Sequence, residues 1–244
     1  MPELGATRMR VPTASAVLAA ELRSRIVREQ LPDGTPLESE AELIASTGLS
    51  RASVREAIRL LAAEGVITTQ RGPGGGIRVS RPDLDVSTRS IAMLLARSGA
   101  PLRELFELRL LLEPRAAELA ATAAGESDLE SIRRAVADDG EHLPEMLDFH
   151  RLVARSAGNE FLAVTLEIVH SLAGWHTPLE ALAEPTLDFG RRAHRRIAER
   201  IIARDGAGAS AAMRTHLEAF LEELDRLHRL DEPVIRAAEW DPRP

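Results

Sequence analysis

The chain has 244 residues, of which 44% are hydrophobic and 28% are charged, a composition typical of a globular protein with one or two hydrophobic cores. No apolar run reaches the roughly 18 residues that a membrane-spanning helix needs, and no signal peptide is visible, so we expect a cytoplasmic protein without a membrane partner. The lack of cysteine excludes disulfides and thiolate metal sites and agrees with a reducing compartment.

The net charge of −7 is divided unevenly along the chain. Residues 1–80 carry ten Arg and nine acidic side chains, a net charge of +1, whereas residues 81–244 carry a net charge of −8. Because the local charge of a contact face controls phosphate binding, an acidic second half does not exclude a nucleic-acid partner for the first half.

The first 80 residues carry the pattern of three helices. Helical spacing of apolar residues predicts a first helix over residues 14–29, and Ser39 and Glu42 have the spacing of a capping box that starts a second helix. After a turn at Gly48, Ser50 can cap a third helix, which Gly65 ends.

The third predicted helix has a polar and an apolar side. Arg51, Ser53 and Arg55 lie at its exposed start. Apolar residues recur at three- and four-residue spacing on the other side, at Val54, Ile58 and Leu61. A helix that enters the major groove of DNA needs exposed polar residues at its start and an opposite side that packs into the protein core. The third predicted helix has both features.

A Gly-rich loop over residues 71–76 joins two predicted short strands, at 66–70 and 77–79. A nucleotide phosphate loop is disfavoured, because the P-loop spacing with its Lys is absent and a strand follows instead of a helix. An ordinary surface turn is one remaining alternative; the other is a hairpin tip that brings Arg71 and Gly72 to a nucleic-acid backbone. With the helices before it, the hairpin predicts a winged helix-turn-helix domain over residues 1–80.

The composition changes at Pro82, and we predict a linker over residues 81–86. Residues 87–232 then read as consecutive helices, which predicts an all-helical antiparallel bundle, a mainly α fold overall and a C-terminal tail over 233–244. One of these helices is predicted to start at Ser127, which has capping-box spacing to Glu130. The predicted helices cover residues 87–97, 101–124, 127–137, 143–157, 160–173, 187–203 and 209–230.

Three histidines, His150, His194 and His216, lie on the apolar faces of three different predicted helices. Neutral imidazoles that converge inside a bundle can bind a divalent metal. The alternative is that each is a core histidine hydrogen-bonded to a neighbour, and the pattern leaves both open. Of the other four histidines of the second half, we interpret His142, His170 and His228 as structural, whereas His176, in the Gly/Pro-rich stretch 173–178, could rim a pocket or cap the bundle.

The first half resembles the GntR family of bacterial transcription regulators. The resemblance implies DNA contacts by Arg51, Ser53, Arg55 and the wing residue Arg71, which Gly72 follows at the wing tip. Many members carry Arg at the position of Ala41, so that contact is not carried over. The matching segments are Leu37-Glu38-Ser39-Glu40, Gly48-Leu49-Ser50-Arg51, Val54-Arg55-Glu56-Ala57-Ile58, Leu61, Glu64-Gly65-Val66-Ile67 and the Gly-rich wing.

Residues from about 87 to 230 resemble the FCD domain, the effector-binding half of FadR-type GntR regulators. The resemblance rests on the segments Leu105–Arg109 with Glu113, Phe149-His150, Gly158-Asn159, His194–Ile197 and Met213–Leu217.

Metal-binding members of this class use three His, matching His150, His194 and His216, which implies a divalent metal such as zinc or nickel. They add an Asp four residues before the first His, where this chain has Met146. The nearby acids Glu145 and Asp148 are turned away from His150 on a helix, so water or the effector would have to complete the shell.

The resemblance also places Arg109 and His194 beside an effector pocket. Arg109 can bind a carboxylate with two hydrogen bonds, or it can form a structural pair with Glu113 one turn away. We therefore expect a homodimeric repressor that binds an inverted-repeat DNA operator and senses a small organic or fatty acid. The alternatives are a constitutive architectural DNA-binding protein and a three-His metalloenzyme.

Overall fold

The structure is a computed structural model that describes residues 12–70, 72, 75–81, 84–137, 144–176 and 184–235, with the backbone alone for 144–147, 175–176 and 184–187. The chain divides into two compact units, residues 1–86 and 87–244. The described elements are α1 (Ala14–Arg28), α2 (Glu40–Thr47), α3 (Arg51–Ala63), β1 (Ile67–Gln70), β2 (Gly76–Val79), α4 (Leu84–Ser98), α5 (Leu102–Ala123), α6 (Glu126–Ala137), α7 (Pro144–Arg155), α8 (Glu160–His176), α9 (Glu184–Ile202) and α10 (Gly206–Arg226).

The first unit has one hydrophobic core, in which α1 packs against α3. The apolar side of α3 predicted from the sequence is buried completely at Val54 and Leu61. Burial of these side chains supplies most of the driving force that holds so short a helix in place, since isolated helices of this length are marginal in water. The core is completed from α1, α2 and the strands by Leu18, Leu22, Ile26, Leu43, Ile67, Ile77 and Val79.

The turn between α2 and α3 is built by local hydrogen bonds. The predicted capping box is confirmed: the Ser39 hydroxyl accepts from the Glu42 backbone N–H, while the Glu42 carboxylate accepts from the Ser39 N–H at 2.8 Å. Gly48 ends α2 with a φ of +67°, a left-handed conformation that glycine adopts without strain. The two helices are therefore joined at a defined angle, as a helix-turn-helix requires.

The wing is an antiparallel pair of β1 and β2, in which Ile67 is opposite Val79 and Gln70 is opposite Gly76. A further segment, residues 34–37, hydrogen-bonds to the outer edge of β2 through backbone bonds of 2.9 Å. A Cβ atom on Gly75 would lie 2.3 Å from the Gln70 carbonyl oxygen, so only glycine fits this tip conformation. The prediction of a winged helix-turn-helix is confirmed.

The second unit is a bundle of α4–α10, which confirms the predicted helical bundle and the mainly α fold. Helix α5 packs along α10, α9 packs against α10, and α7 packs against α8. Within the described ranges, no helix combines the length and the apolar character needed to cross a membrane.

Several details of the bundle differ from the sequence pattern, most clearly at its start, at α6 and in the tail. Helix α4 starts at Leu84, inside the segment predicted as a linker. Helix α6 starts at Glu126, one residue before the predicted start, because the Asp128 carboxylate accepts a bond from the Gly125 N–H at 3.0 Å; the Ser127 capping box was wrong. Val234, within the predicted tail, is buried and donates a backbone bond to Ala100.

Candidate functional site

The start of α3 presents basic side chains on a surface whose opposite side is buried. Arg51 and Arg55 are exposed, and Ser53 is half-buried. The Ser50 hydroxyl caps the helix by accepting from the Ser53 N–H at 3.1 Å. The first turn carries no acidic residue, so the positive end of the helix dipole adds to the arginines and favours a phosphate partner.

The arginines of α3 differ in their protein contacts. The Nε of Arg55 lies 3.7 Å from a carboxylate oxygen of Glu40 at the start of α2, and both side chains are more than half exposed. Arg59, one turn further along α3, donates two bonds to Glu56. Exposed ion pairs of this kind are worth little, so Arg55 can exchange Glu40 for DNA at small cost.

The other predicted DNA contacts lie in the wing. Gly72 is exposed, has a φ of +107° and accepts a bond from the Gly75 N–H at 2.9 Å. Arg71 lies outside the described residues, so its predicted contact stays a prediction.

The bundle brings the three predicted histidines together. The Nε2 atom of His194 lies 3.1 Å from that of His150 and 3.2 Å from that of His216, and the remaining separation is also 3.2 Å. The side chains come from α7, α9 and α10 and are at most 5% exposed. Three imidazole nitrogens thus form a nearly equilateral triangle inside the bundle.

The triangle is held in place by the surrounding core. The Phe149 ring stacks on the His194 ring at a centroid distance of 4.4 Å. The helices that carry these histidines also contribute fully buried apolar neighbours, such as Ile197 in α9 and Leu217 in α10. Rotation of the rings is therefore restricted by close packing rather than by solvent-exposed contacts.

Glu113 of α5 connects this triangle to Arg109. One carboxylate oxygen of Glu113 lies 2.5 Å from Nδ1 of His150, and the other lies 2.5 Å from Nε of Arg109. Nε2 of His170 lies 3.2 Å from the latter oxygen. All four side chains are buried, so the positive charge of Arg109 is compensated by a single carboxylate.

The protonation states follow from burial and from these contacts. Burial alone would raise the pKa of Glu113, but the charge of Arg109 and the neighbouring His150 and His170 hold that pKa well below its usual range. Burial, reinforced by His150 and His216, holds the pKa of His194 well below its usual range. Burial likewise lowers the pKa of His170 to about 4 and that of His216 to about 3. Near neutral pH His170, His194 and His216 are uncharged and Glu113 is ionised.

The donor set fits a divalent cation. Because Glu113 is ionised, Nδ1 of His150 carries the proton and donates it, which leaves a lone pair on Nε2 that faces the other two imidazoles. Nitrogens bound to one zinc-like ion at roughly 2.0–2.1 Å are separated by roughly 3.0–3.4 Å, which the observed triangle matches. A carboxylate behind a ligating histidine is also the usual arrangement for fixing its ring.

Of the two acids near His150, Asp148 does not contribute to this triangle, and the side chain of Glu145 lies outside the described residues. Met146, at the position of the family Asp, lies one turn before His150 in α7, and its side chain is outside the described part of the chain. Asp148 is exposed and accepts from Arg151 at 2.9 Å, as expected from its angle on the helix. In the described part, the carboxylate nearest to the triangle is therefore Glu113, on the far side of the His150 ring.

Sequence reasoning missed two members of the buried cluster. Glu113 was considered only as a pair for Arg109, and that pair is present, but the carboxylate also orients His150. His170 was interpreted as structural, yet it is fully buried beside Glu113. The available signal was a titratable side chain on an otherwise apolar helix face, at Arg109 and Glu113 in α5 and at His170 in α8.

Comparison with known proteins agrees with both halves of this description. Residues 14–79 match the family described as "Bacterial regulatory proteins, gntR family", and residues 104–219 match the "FCD domain". The HTH-type transcriptional regulator LutR of Bacillus subtilis is 32% identical over 206 residues, which cover 77% of this chain and 90% of that protein. The chain belongs to the GntR family. It is a member of the FadR-type subfamily with a C-terminal FCD domain, as its sequence motifs predicted.

Other relatives include both a transcriptional repressor and a transcriptional activator. The HTH-type transcriptional repressor NanR of Cronobacter sakazakii is 29% identical, over 84% of this chain and 83% of that protein. The Glc operon transcriptional activator of Escherichia coli K12 is 27% identical, over 91% and 93%. A solved structure described as Streptococcus agalactiae GntR superposes with a TM-score of 0.61 at 26% identity, over 85% and 99%. This GntR-family chain is accordingly a DNA-binding transcription regulator and not an enzyme.

Proposed function

We propose that this protein is a homodimeric repressor that acts in the bacterial cytoplasm, binds an inverted-repeat operator through α3 and the wing, and is released by a small carboxylate. The observation that carries the sensing part is the triangle of Nε2 atoms at 3.1–3.2 Å, joined through Glu113 to the buried Arg109. A bundle that served only to dimerise would be more stable with apolar side chains at these positions, since buried ion pairs seldom repay their desolvation.

The DNA contacts that we propose are Arg51, Ser53 and Arg55, with Arg71 and Gly72 at the wing tip. Support comes from the exposed basic start of α3, the absence of acidic residues in its first turn and the buried opposite side. A helix of this kind places its first residues against base edges, and a dimer reads two half-sites about one helical turn apart.

The ligand that we propose is an organic or fatty acid bound next to His194 and Arg109. His150, His194 and His216 would hold a divalent ion, zinc or nickel, and a bound ion supplies positive charge and open coordination positions for a carboxylate. Within the chain, Glu113 holds the ring of His150, and Arg109 offers its remaining guanidinium donors to a second anion.

Effector binding would change operator affinity through a coupling free energy between the two units of the chain. The alternative, a constitutive architectural DNA-binding protein, predicts an affinity that no metabolite alters. Selection from random double-stranded DNA with the full chain should enrich an inverted repeat. Binding to that repeat should then weaken about tenfold or more with at least one short-chain carboxylate when zinc is present, a coupling in the usual range.

The same titration in EDTA is the control for metal dependence. If the selection enriches no inverted repeat, the proposed operator geometry is wrong. An affinity that stays constant across hydroxy acids, dicarboxylates and fatty acids, with and without zinc, would favour the architectural alternative.

A further inference from the structure

Helix α4 is only partly covered by the rest of the bundle. Of its 15 residues, Thr88 and Ala92 alone are buried. Ile91 and Leu95 are half-buried and pack against a buried hydrophobic cluster, whereas Leu94 is 69% exposed. Ile91, Leu94 and Leu95 have the i, i+3 and i+4 spacing that puts residues on one side of a helix. An apolar surface therefore continues from this cluster outwards to Leu94.

The described part of the chain ends against the same helix. Val234 donates a backbone hydrogen bond of 2.8 Å to Ala100, just after the end of α4. Val234 and Ile235 are both buried in the cluster against which Leu95 packs. Residues 236–244, called here the terminal segment, follow Ile235 in the sequence. The terminal segment therefore begins beside α4, at a point that the core holds in place.

The terminal segment is long enough to reach Leu94. Trp240 comes five residues after Ile235, and five extended residues span up to roughly 17 Å. Leu94 lies four residues before Ser98, the last residue of α4, which is about 6 Å along the helix axis. Trp240 is the only aromatic residue of the segment, and an indole ring gains from the burial of a large apolar area.

The charges near Trp240 and Leu94 are complementary. Glu239 and Asp241 flank Trp240 in the sequence, and Arg97 lies three residues after Leu94 in α4. Arg97 is exposed, and it forms no ion pair with a side chain of the described ranges. A carboxylate beside the docked ring would give this arginine a partner.

We propose that the terminal segment docks on α4, where the Trp240 ring covers Leu94 and an acidic neighbour pairs with Arg97. The docked segment completes the cover of α4 and so stabilises this helix against local opening. Helix α4 contains the boundary between the two compact units, between residues 86 and 87. The contact lies within one chain and requires neither DNA nor an effector.

The first test compares hydrogen exchange of the full chain with that of a chain ending at Ile235. Removal of residues 236–244 should speed amide exchange in α4 about tenfold or more, because exchange there reports local opening. Trp240→Ala should have the same effect. Trp240→Phe keeps an aromatic ring and should retain most of the protection. Amides of α6, which packs on α7 and α9, should exchange equally in all four proteins.

The second test follows the fluorescence of the ring itself. The chain has two tryptophans, so Trp175→Phe leaves Trp240 as the only emitter. In that background, Leu94→Asp should shift the emission to the red and increase quenching by acrylamide, since the ring becomes exposed to water. Met93→Asp is the matched control. It adds the same charge to a 43% exposed position of α4 that is turned by roughly 160° from Leu95.

Unchanged exchange in α4 after removal of residues 236–244 would overturn the inference. Equal emission in Leu94→Asp and Met93→Asp would overturn it too. If Leu94→Asp lowers the oligomeric state in sedimentation and leaves the emission of Trp240 unchanged, a second copy of the chain covers Leu94 instead. Circular dichroism checks the fold, and if Leu94→Asp loses helix, the comparison of Trp240→Ala with Trp240→Phe decides.

Discussion

The Glu113 carboxylate binds Nδ1 of His150 at 2.5 Å and so determines which nitrogen of that ring faces the histidine triangle. An ionised acceptor keeps the proton on Nδ1, and the lone pair is then on Nε2, 3.1 Å from His194. The carboxylate is itself held by Arg109, so a residue of α5 controls the chemistry of a residue of α7. Glu113 is therefore a positioning residue for any ion that the triangle binds.

We expect Glu113→Gln to lower zinc affinity by about 10- to 100-fold, the usual effect of removing a partner behind a ligating histidine. The amide can still accept a bond from His150, but it loses the negative charge that makes the imidazole a better donor. Calorimetric titration of the metal-free protein measures the change.

Glu118→Gln is the control, since Glu118 lies on the same helix but is exposed and forms an ion pair with Arg115 at 2.9 Å. It should bind zinc as the wild type does. Equal zinc affinity in Glu113→Gln and Glu118→Gln would remove the positioning role.

The metal-free bundle should lose stability as the pH falls below about 6.5. The folded-state pKa values of His170 and His216, about 4 and about 3, lie below the unfolded value of 6.5, so the unfolded chain takes up protons first. Above pH 6.5 neither histidine lowers the free energy of unfolding. Between pH 6.5 and pH 5 each of them lowers it by roughly 2 kcal/mol, because the unfolded chain is protonated and the folded chain is not.

Urea unfolding in EDTA at several pH values above 5 measures this, because most carboxylates remain ionised in that window. The free energy of unfolding should rise with pH up to about 7 and then level off. A free energy that stays constant or increases on acidification would show that these histidines are protonated in the folded bundle.

We expect Arg51→Ala and Arg55→Ala each to weaken operator binding by about 1–3 kcal/mol if the side chain reads a base, or to reduce the salt dependence by about one ion if it contacts phosphate. Both side chains are exposed, so the free energy of unfolding should be the same in these variants as in the wild type. Anisotropy titrations at several salt concentrations give both quantities.

Arg59→Ala serves as the comparison, because this exposed arginine of α3 lies further from the helix start and is bound to Glu56. Loss of affinity in Arg59→Ala equal to that in the other two would indicate a general effect of charge rather than contacts at the helix start.

Restoring the family carboxylate by Met146→Asp should raise zinc affinity, because this position is one turn before His150 in α7 and an anionic ligand strengthens divalent binding. If the histidines only hydrogen-bond in the core, the same change adds an unpaired charge and lowers the melting temperature. Calorimetry with zinc and nickel, together with melting curves, distinguishes the two. Absence of uptake by both proteins, with a less stable variant, would eliminate the metal site.

The fold was largely predictable from the sequence because its signals are local. The Ser39 capping box, the turn at Gly48 and the apolar side of α3 depend on residues a few positions apart, and the structure confirms them. The start of α6 was placed wrongly, since Ser127 and Asp128 are both suitable capping residues and only the backbone path selects Asp128.

The buried cluster was only partly predictable because its contacts join distant segments. Spacing on each helix indicated that His150, His194 and His216 face inward, but Glu113 is 37 residues from His150 in the chain. The pairing of Glu113 with Arg109 is visible from the sequence, whereas the second contact of the same carboxylate depends on the packing of α5 against α7. His170 enters the cluster through α8 for the same reason.

Glu113 and Arg109 compensate each other, and His170, His194 and His216 are uncharged, so these five buried side chains carry no net charge. A divalent ion placed among neutral imidazoles would therefore keep both of its positive charges in a poorly polarisable medium, where isolated charge is costly. An acid that followed the ion inside would remove part of that cost. By thermodynamic reciprocity, the ion would raise the binding affinity for the acid by the same factor by which the acid raises the binding affinity for the ion. Each would therefore be a co-ligand for the other.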